Sequence, residues 1–267
     1  MDAVPVDLQR ALAATEGERG VFGARLVYFI ETGSTNDLAA AAADRGEPEG
    51  TTFVAGTQTS GRGRLGRTWF SPPGAGLYVS TIVRRPSIAP WITLAGGVAV
   101  AEAIRGATGL PVQIKWPNDI VTTHGRPGSR RKIAGILAEA SSGPDGVDRV
   151  VLGIGINVGR AAFPPDLADR ASAIEIELGR PVDADALLAQ LLVAVNRVLD
   201  EIANAGLPIL FQRWLDLAPS AHGSAIEWDA GGVRRHGVTA GLAEDGALLA
   251  RTPDGMERII AGEVRWS

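Results

Sequence analysis

The chain has 267 residues, 45% hydrophobic and 21% charged, with a formal net charge of −4; that length and balance predict one large domain, or a large and a small one, around a well-buried core, and exclude a chain dominated by disorder. Cysteine is absent, which excludes a disulfide framework, a thiol nucleophile and a thiolate metal site, and His124, His222 and His236 are too far apart for a zinc motif. The acidic balance argues against a broad nucleic-acid-binding face, although local basic patches are compatible with it.

Met1 to Gly20 carries scattered acidic residues and no apolar core behind a basic region, so it does not read as a secretory signal. No run of about 18 apolar residues offers a membrane span, and a cytoplasmic protein is expected. Arg25 to Ile30 reads as a strand. Ser34-Thr35-Asn36-Asp37 before an alanine run starts a helix to about Arg45, with Leu38 to Ala43 as the body of a surface helix. Thr51 to Thr57 and Leu77 to Val83 read as strands separated by a glycine-arginine loop, and Trp91 to Ala107 as a buried helix on the sheet. Val112 to Lys115 is a strand stopped by Pro117, and Gly125 to Arg130 an exposed turn. Ile133 to Ala140 and Arg149 to Asn157 form an antiparallel pair around the turn signal Ser141 to Gly146. Ala184 to Ala203 and Pro208 to Leu217 are amphipathic helices. Beyond Pro219, short alternating segments divided by Gly231-Gly232, Asp245-Gly246 and Asp254-Gly255 suggest a small β-barrel or sandwich.

Only two of the 26 basic residues are lysines, Lys115 and Lys132, as expected where a compact, rotatable ammonium is needed and a planar guanidinium would not serve. The loop Gly61-Arg62-Gly63-Arg64-Leu65-Gly66-Arg67 combines backbone freedom with guanidinium forks suited to phosphate. It matches neither standard nucleotide fingerprint, and an RG-type nucleic-acid segment or a solvated loop would look the same. Lys115-Trp116-Pro117-Asn118-Asp119 reads either as polar groups at a sheet rim reaching a nucleotide and its magnesium, or as a turn over a core tryptophan. Lys132, heading a very apolar strand, is either a site cation or a lysine snorkelling from a strand end. Gly153 to Val158 is a tight packing site or the wall of a flat ligand's pocket.

Ser34-Thr35-Asn36, Gln58 with Gly61 to Arg67, Trp69, Lys-Trp-Pro-Asn-Asp, Lys-Ile-Ala-Gly-Ile-Leu and Gly-Ile-Gly-Ile-Asn-Val occur in the order found in biotin protein ligases, which the chain resembles from about Leu26 to Asn157 and, more weakly, at Gly262-Glu263-Val264. The resemblance implies an α+β fold: a mixed, mainly antiparallel sheet packed by helices in a class II synthetase-like catalytic domain over residues 1–218, then a small SH3-like β-barrel over 219–267. It implies activation of biotin with ATP and magnesium to biotinyl-5′-AMP, then transfer to one lysine of the biotin carboxyl carrier domain of a carboxylase.

Activation brings a carboxylate onto an α-phosphate. At about 4 Å and an effective dielectric near 20, one such charge pair repels by roughly 4 kcal/mol. The family pattern makes Lys132 the bridging ammonium, an electrostatic role. By the same resemblance Ser34, Thr35 and Gln58 serve biotin's ureido ring, with Asn36 holding that corner. Arg62 and Arg64, with the backbone of Gly61 and Gly63, fold over biotin and shield the adenylate. Gly135 and Gly153 form the floor. Arg67 faces the phosphates, Trp69 packs by adenine, Asn157 bonds the adenine edge, and Lys115, Asn118 and Asp119 lie near the triphosphate; Asp119 is also a candidate to accept the acceptor amine's proton. The unit from Pro219 assists ATP or carrier binding, and carrier docking by strand-edge pairing is a reasonable mode.

Some members of the family carry an N-terminal winged helix-turn-helix domain. Only 33 residues precede Ser34, so a ligase-only protein without a nucleic-acid partner is expected, as monomer or homodimer. Leu65 interrupts the basic run and is expected to alter how the loop packs when closed. The rival readings are a lipoate ligase or octanoyl transferase of the same fold, and a non-catalytic biotin-adenylate sensor.

Overall fold

Seven extended segments pair into one mixed sheet. The structure, a computed structural model, describes residues 1–124, 129–143, 146–160 and 163–266. The strands are β1 (Leu26–Thr32), β2 (Thr52–Gln58), β3 (Gly76–Val83), β4 (Val112–Lys115), β5 (Asp119–Thr122), β6 (Lys132–Gly143) and β7 (Gly146–Asn157), in the spatial order β1-β2-β3-β7-β6-β5-β4. The β1–β2 pair is parallel and the other pairings are antiparallel. β3 is buried from Leu77 to Val83 because the sheet is covered on both sides, so its burial is continuous and does not alternate. Positions 125–128 of the predicted turn and 144–145 at the hairpin tip lie outside the described residues.

The helices are α1 (Val6–Ala14), α2 (Glu16–Arg19), α3 (Thr35–Asp44), α4 (Ile92–Thr108), α5 (Ile174–Leu178), α6 (Ala184–Ala205) and α7 (Leu207–Leu217). One face of the sheet carries the main core, where Val98, Ile104, Leu188, Leu192 and Trp214 join Ile136, Leu152 and Ile154. Gly96 lets α4 sit close to the sheet, since a Cβ there would stand 3.0 Å from Leu152 and 3.1 Å from Ile136. With the 3-10 turn before it, this segment, Pro86–Thr108, is long and apolar enough to cross a membrane by length and composition. The apolar-run criterion alone missed that. It is a core helix: Ile92, Leu94, Val98, Val100 and Ile104 are all buried within the fold.

α3 lies on the opposite face. It buries Ala39, Ala42 and Ala43 against Val27, Phe53, Ile82 and Val151, so the expected surface helix is half interior: alanine is small enough to let the helix approach the strands. Two further corrections come from short elements. Met1 to Gly20, left without structure by the sequence, holds α1 and α2, with Leu8 and Leu12 buried one helical turn apart. Pro117 does not end the sheet: the chain turns over Trp116, Pro117 and Asn118 and returns as β5, which places Lys115 directly opposite Asp119.

The remaining strands, β8 (His222–Ala230), β9 (Val233–Leu242), β10 (Leu248–Thr252), β11 (Gly255–Ile259) and β12 (Val264–Trp266), form a second, antiparallel sheet in the order β11-β10-β9-β8-β12. Gly231 and Gly232, with φ of 64° and 84°, make the two-residue turn between β8 and β9, where both central positions need left-handed backbone. Ile226, Trp228, Leu248 and Val264 join the main core, and Trp116 Nε1 donates to Gly246 O at 3.0 Å. The end of the chain is thereby held beside the β4–β5 turn.

Candidate active site

A cleft of about 450 Å³, open to solvent, lies where the N-terminal turn of α3, the loop after β2 and the β6–β7 hairpin meet. Strand periodicity decides what faces it. Ile136, Leu152 and Ile154 point their side chains into the core, so Gly135, Leu137 and Glu139 of β6 and their partners Gly155, Gly153 and Val151 of β7 present the other face.

Polar side chains close one corner. Gln58 Oε1 accepts from the Thr35 backbone N–H at 2.8 Å and the Thr35 hydroxyl at 3.1 Å, while Gln58 Nε2 donates to Ser71 Oγ at 3.0 Å. The Ser80 hydroxyl donates to Asn36 Oδ1 at 2.5 Å and lies 2.8 Å from Thr35 Oγ1. Asn36 Nδ2 donates to Glu139 Oε2 at 2.7 Å. Ser34, Thr35 and Asn36 are all buried. Ser34 sits at the N-cap of α3, but its hydroxyl makes no cap hydrogen bond and lines the cleft.

The facing pair Gly135 and Gly155 forms a bare stretch of backbone on which the Trp69 indole lies. A Cβ on Gly155 would stand 2.5 Å from Trp69 Nε1, and one on Gly135 3.0 Å from both the ring and the Lys132 ammonium. The buried Trp69 Nε1 has no hydrogen-bond partner. Lys132 Nζ stands 5.1 Å from the Trp69 ring centre, a cation–π contact, and 2.6 Å from Asp119 Oδ1. Register explains the second contact: β5 pairs with the start of β6, Asp119 opposite Gly135.

The glycine-arginine loop folds back as a short hairpin. Trp69 N–H donates to Gly61 O at 2.9 Å and Gly63 N–H to Arg67 O at 2.7 Å, around a 3-10 turn over Arg64–Gly66. At its tip Leu65 is exposed with a φ of 57°, left-handed backbone that a branched side chain disfavours. The three arginines tie this hairpin to α3, to β6, to the β4–β5 turn and to the residue before β12. Arg62 pairs with Glu139 at 2.6 Å and Asp37 at 2.9 Å. Arg64 donates to Asn118 Oδ1 at 3.1 Å, and Asn118 is itself fixed by a 2.8 Å bond from its Nδ2 to Ile136 O. Arg67 pairs with Glu263 at 2.6 Å.

Burial lowers the Arg64 pKa, opposed by the charge of Asp119. It also lowers that of Lys115, opposed by Asp119 and Glu263. The hydrogen bond between Arg67 and Glu263 raises the first and lowers the second. A carboxylate depressed in the fold stabilises above its unfolded pKa, about 4.3 for Glu, and that contribution is lost as pH falls through the folded value. Glu263→Gln is therefore expected to lower thermal stability at pH 7 by about 1 kcal/mol or less, since the pair is half in solvent. The gap to the unmodified protein should close as pH drops below about 4, followed by melting curves against pH.

Of the residues expected at the site, Ser34, Thr35, Asn36, Gln58, Arg62, Gly63, Arg64, Trp69, Asn118, Lys132, Gly135 and Gly153 line the cleft, whereas Gly61, Arg67, Lys115, Asp119 and Asn157 do not. Gly61 backs Trp69 from behind, where a Cβ would stand 2.5 Å from Trp69 O. Asn157 Nδ2 donates to Ser172 O at 3.0 Å and Lys132 O at 3.4 Å, so its amide N–H bonds tie the end of β7 to the start of β6 and to the segment at Ser172. Gly153 also gives clearance to Asn36, whose Cγ would stand 2.8 Å from a Cβ there. Gly155 also lines the cleft, within the segment Gly153 to Val158 that the sequence offers as a packing site or pocket wall. Sequence reasoning missed Ser80 and Glu139, and Glu139 carries the signal of a lone charge inside an apolar strand.

The family model for the biotin/lipoate A/B protein ligase family matches residues 28–157, and that for the biotin protein ligase C terminal domain matches 230–265. The bifunctional ligase/repressor BirA of Bacillus subtilis is 32% identical over 250 residues, 91% of this chain and 74% of that protein. The biotin–acetyl-CoA-carboxylase ligase of Paracoccus denitrificans is 34% identical over 221 residues, 79% of this chain and 88% of that one. The chain belongs to the biotin protein ligase family. Among solved structures, the biotin protein ligase of Aquifex aeolicus in complex with biotin and ATP superposes with a TM-score of 0.76 at 28% identity, covering 91% of this chain and 99% of that one. The ligase family match from β1 to the end of β7 contains every cleft residue. The C-terminal match contains Glu263, so the Arg67–Glu263 pair of this ligase joins the two matched regions.

Proposed function

We propose that the chain is an ATP-dependent biotin protein ligase that condenses biotin with ATP to biotinyl-5′-AMP and transfers the biotinyl group to a lysine of a carboxylase's biotin carrier domain. The observation that carries this reading is a polar corner of Ser34, Thr35, Asn36 and Gln58 at Gly153, with the Lys132 ammonium at Gly135, one same-face step along the hairpin. A ureido ring has one carbonyl and two N–H groups to satisfy such a corner. The dithiolane of lipoate and an octanoyl chain have none and would cover the corner's spare hydrogen-bonding capacity, the Ser34 hydroxyl included, without pairing it, which discriminates against them in rate.

Lys132 bridges the biotin carboxylate and the α-phosphate, and Asp119 parks its ammonium between turnovers, which replaces the base role considered for Asp119. Arg62 and Arg64 hold the hairpin over the reactive anhydride and limit hydrolysis. Trp69 offers a flat face to the adenine. Magnesium arrives with ATP as part of the substrate. Among the described residues no group of three His, Asp or Glu side chains is placed to hold a resident metal, and the Asp119 carboxylate is committed to Lys132.

The larger sheet with its helices is read as the class II synthetase-like catalytic unit, and the five antiparallel strands from His222 as an SH3-like barrel. That second unit serves the nucleotide through β12 and the residue before it: Glu263 holds Arg67, and the Trp266 ring lies 5.2 Å from Lys115 Nζ and 5.1 Å from the Arg130 guanidinium. Trp266→Ala is expected to raise the KM for ATP about three- to tenfold, from one or two lost cation–π contacts, with biotin affinity unchanged; initial-rate kinetics in each substrate check this.

The test of the function is transfer. Incubated with biotin, ATP and a biotin carrier domain of acetyl-CoA carboxylase, the protein should add one biotinyl group, read by intact mass. It should add none when the acceptor lysine is replaced by arginine. Activation without transfer to any carrier domain would favour the adenylate sensor.

A further inference from the structure

Glu139 is the one charge on the apolar stretch Ile133 to Ala140 of β6, and a single one of its oxygens serves two parts of the site. Oε2 accepts from Asn36 Nδ2 at 2.7 Å and from Arg62 NH2 at 2.6 Å. Asn36 belongs to the buried polar corner, and Arg62 to the hairpin that closes over the cleft. We propose that Glu139 is a positioning residue that couples filling of the polar corner to closure of the glycine-arginine hairpin, through the carboxylate oxygen shared by Asn36 and Arg62. The proposal rests on the ligase reading of the pocket.

A carboxylate is acceptor-only, so it turns the Asn36 NH2 toward itself and leaves Oδ1 to the Ser80 hydroxyl. Asn36 thus has one orientation, and Gly153 leaves just enough room for it. The bond to Arg62 is charge-assisted. The guanidinium's other partner, Asp37, has a side chain 60% exposed against 38% for Glu139. An exposed pair holds little, so Glu139, rooted in a central strand, is the stronger anchor. A ligand that fixes Asn36 fixes Glu139 and with it the anchor of Arg62. By reciprocity a closed hairpin holds Asn36 in its ligand-binding pose.

Two variants of the full chain separate this from a structural role. Glu139→Ala removes both bonds. It should raise the biotin KM by about tenfold and the fraction of biotinyl-5′-AMP found free in solution several-fold, with the KM for ATP near that of the unmodified protein and a Tm lowered by only a few degrees, the cost of leaving the Asn36 amide unpaired. Glu139→Gln keeps an oxygen for Asn36 but loses the charge that holds Arg62. Its biotin KM should return to within about twofold of the unmodified value, while release of the adenylate stays raised several-fold. Adenylate release unchanged in both variants would overturn the proposal. So would a proportionate loss in every parameter, the KM for ATP included, which would make Glu139 merely structural. Absence of biotin-dependent pyrophosphate release in the unmodified protein would instead end the ligase reading, and this proposal with it.

Discussion

Replacing Lys132 with alanine lowers the single-turnover rate of biotinyl-5′-AMP formation by about 10²–10³-fold, the usual cost of removing one preorganised donor from a site where charge develops. The Lys132 side chain is 32% exposed and that of Asp119 26%, so the pair is mostly buried and its loss is expected to cost about 1–2 kcal/mol. A rate loss far larger than this modest fall in stability accounts for is therefore the expected signature. Lys132→Arg keeps the charge and separates charge from geometry. The ammonium lies between Asp119 at 2.6 Å and the Trp69 ring, and its Cε and Nζ pass 3.0 Å from the Cβ position of Gly135. A longer, planar guanidinium must leave that slot and cannot donate to two differently placed anions from one point, so the arginine variant is expected to lose at least about tenfold. Quench-flow measurement of adenylate formation checks both, and an arginine variant with full activity would remove the lysine-specific role.

Gly153→Ala is expected to disable biotin binding and to destabilise the fold. The added methyl overlaps the Asn36 carboxamide. Asn36 is 5% exposed and pinned by Ser80 and Glu139, so it has nowhere to move without breaking those bonds. Overpacking together with a displaced hydrogen-bonded amide costs about 3 kcal/mol, roughly a 6–12 °C fall in Tm for a chain of this size. Biotin affinity should fall at least about tenfold because the displaced amide belongs to the ureido corner. Calorimetric titration with biotin and a melting curve measure the two effects. Gly155→Ala, against Trp69, is the matched control at the other end of the cleft: it should spare biotin binding more than ATP binding.

Much of the sheet was legible because its strands are apolar, β-branched and bounded by glycine or proline: Leu26–Thr32, Gly76–Val83 and the β6–β7 hairpin fall within a few residues of their predicted bounds. The elements missed are those whose stability is tertiary. β5 has four residues and exists because β6 pairs with it; a proline before it reads as a stop unless the turn's return path is known. α2, with four residues, rests on α6. At the site, hydroxyls, amides and arginines were visible as types that bind anions and polar rings. Their division of labour was not, because it depends on register and on contacts far apart in sequence. Nothing local to Arg67 says that its carboxylate is Glu263, nor does anything local to Asn36 point to Glu139. Nothing local to Asp119 says that it pairs with Lys132; the β4–β5 turn and the β5–β6 register bring it there.

ATP–pyrophosphate exchange on the purified protein, with biotin, with lipoate and with neither, tests the central claim most directly. Exchange that requires biotin, proceeds poorly or not at all with lipoate, and is absent without an acid is the predicted result. Exchange driven by lipoate alone, or biotin binding without any exchange, would contradict it.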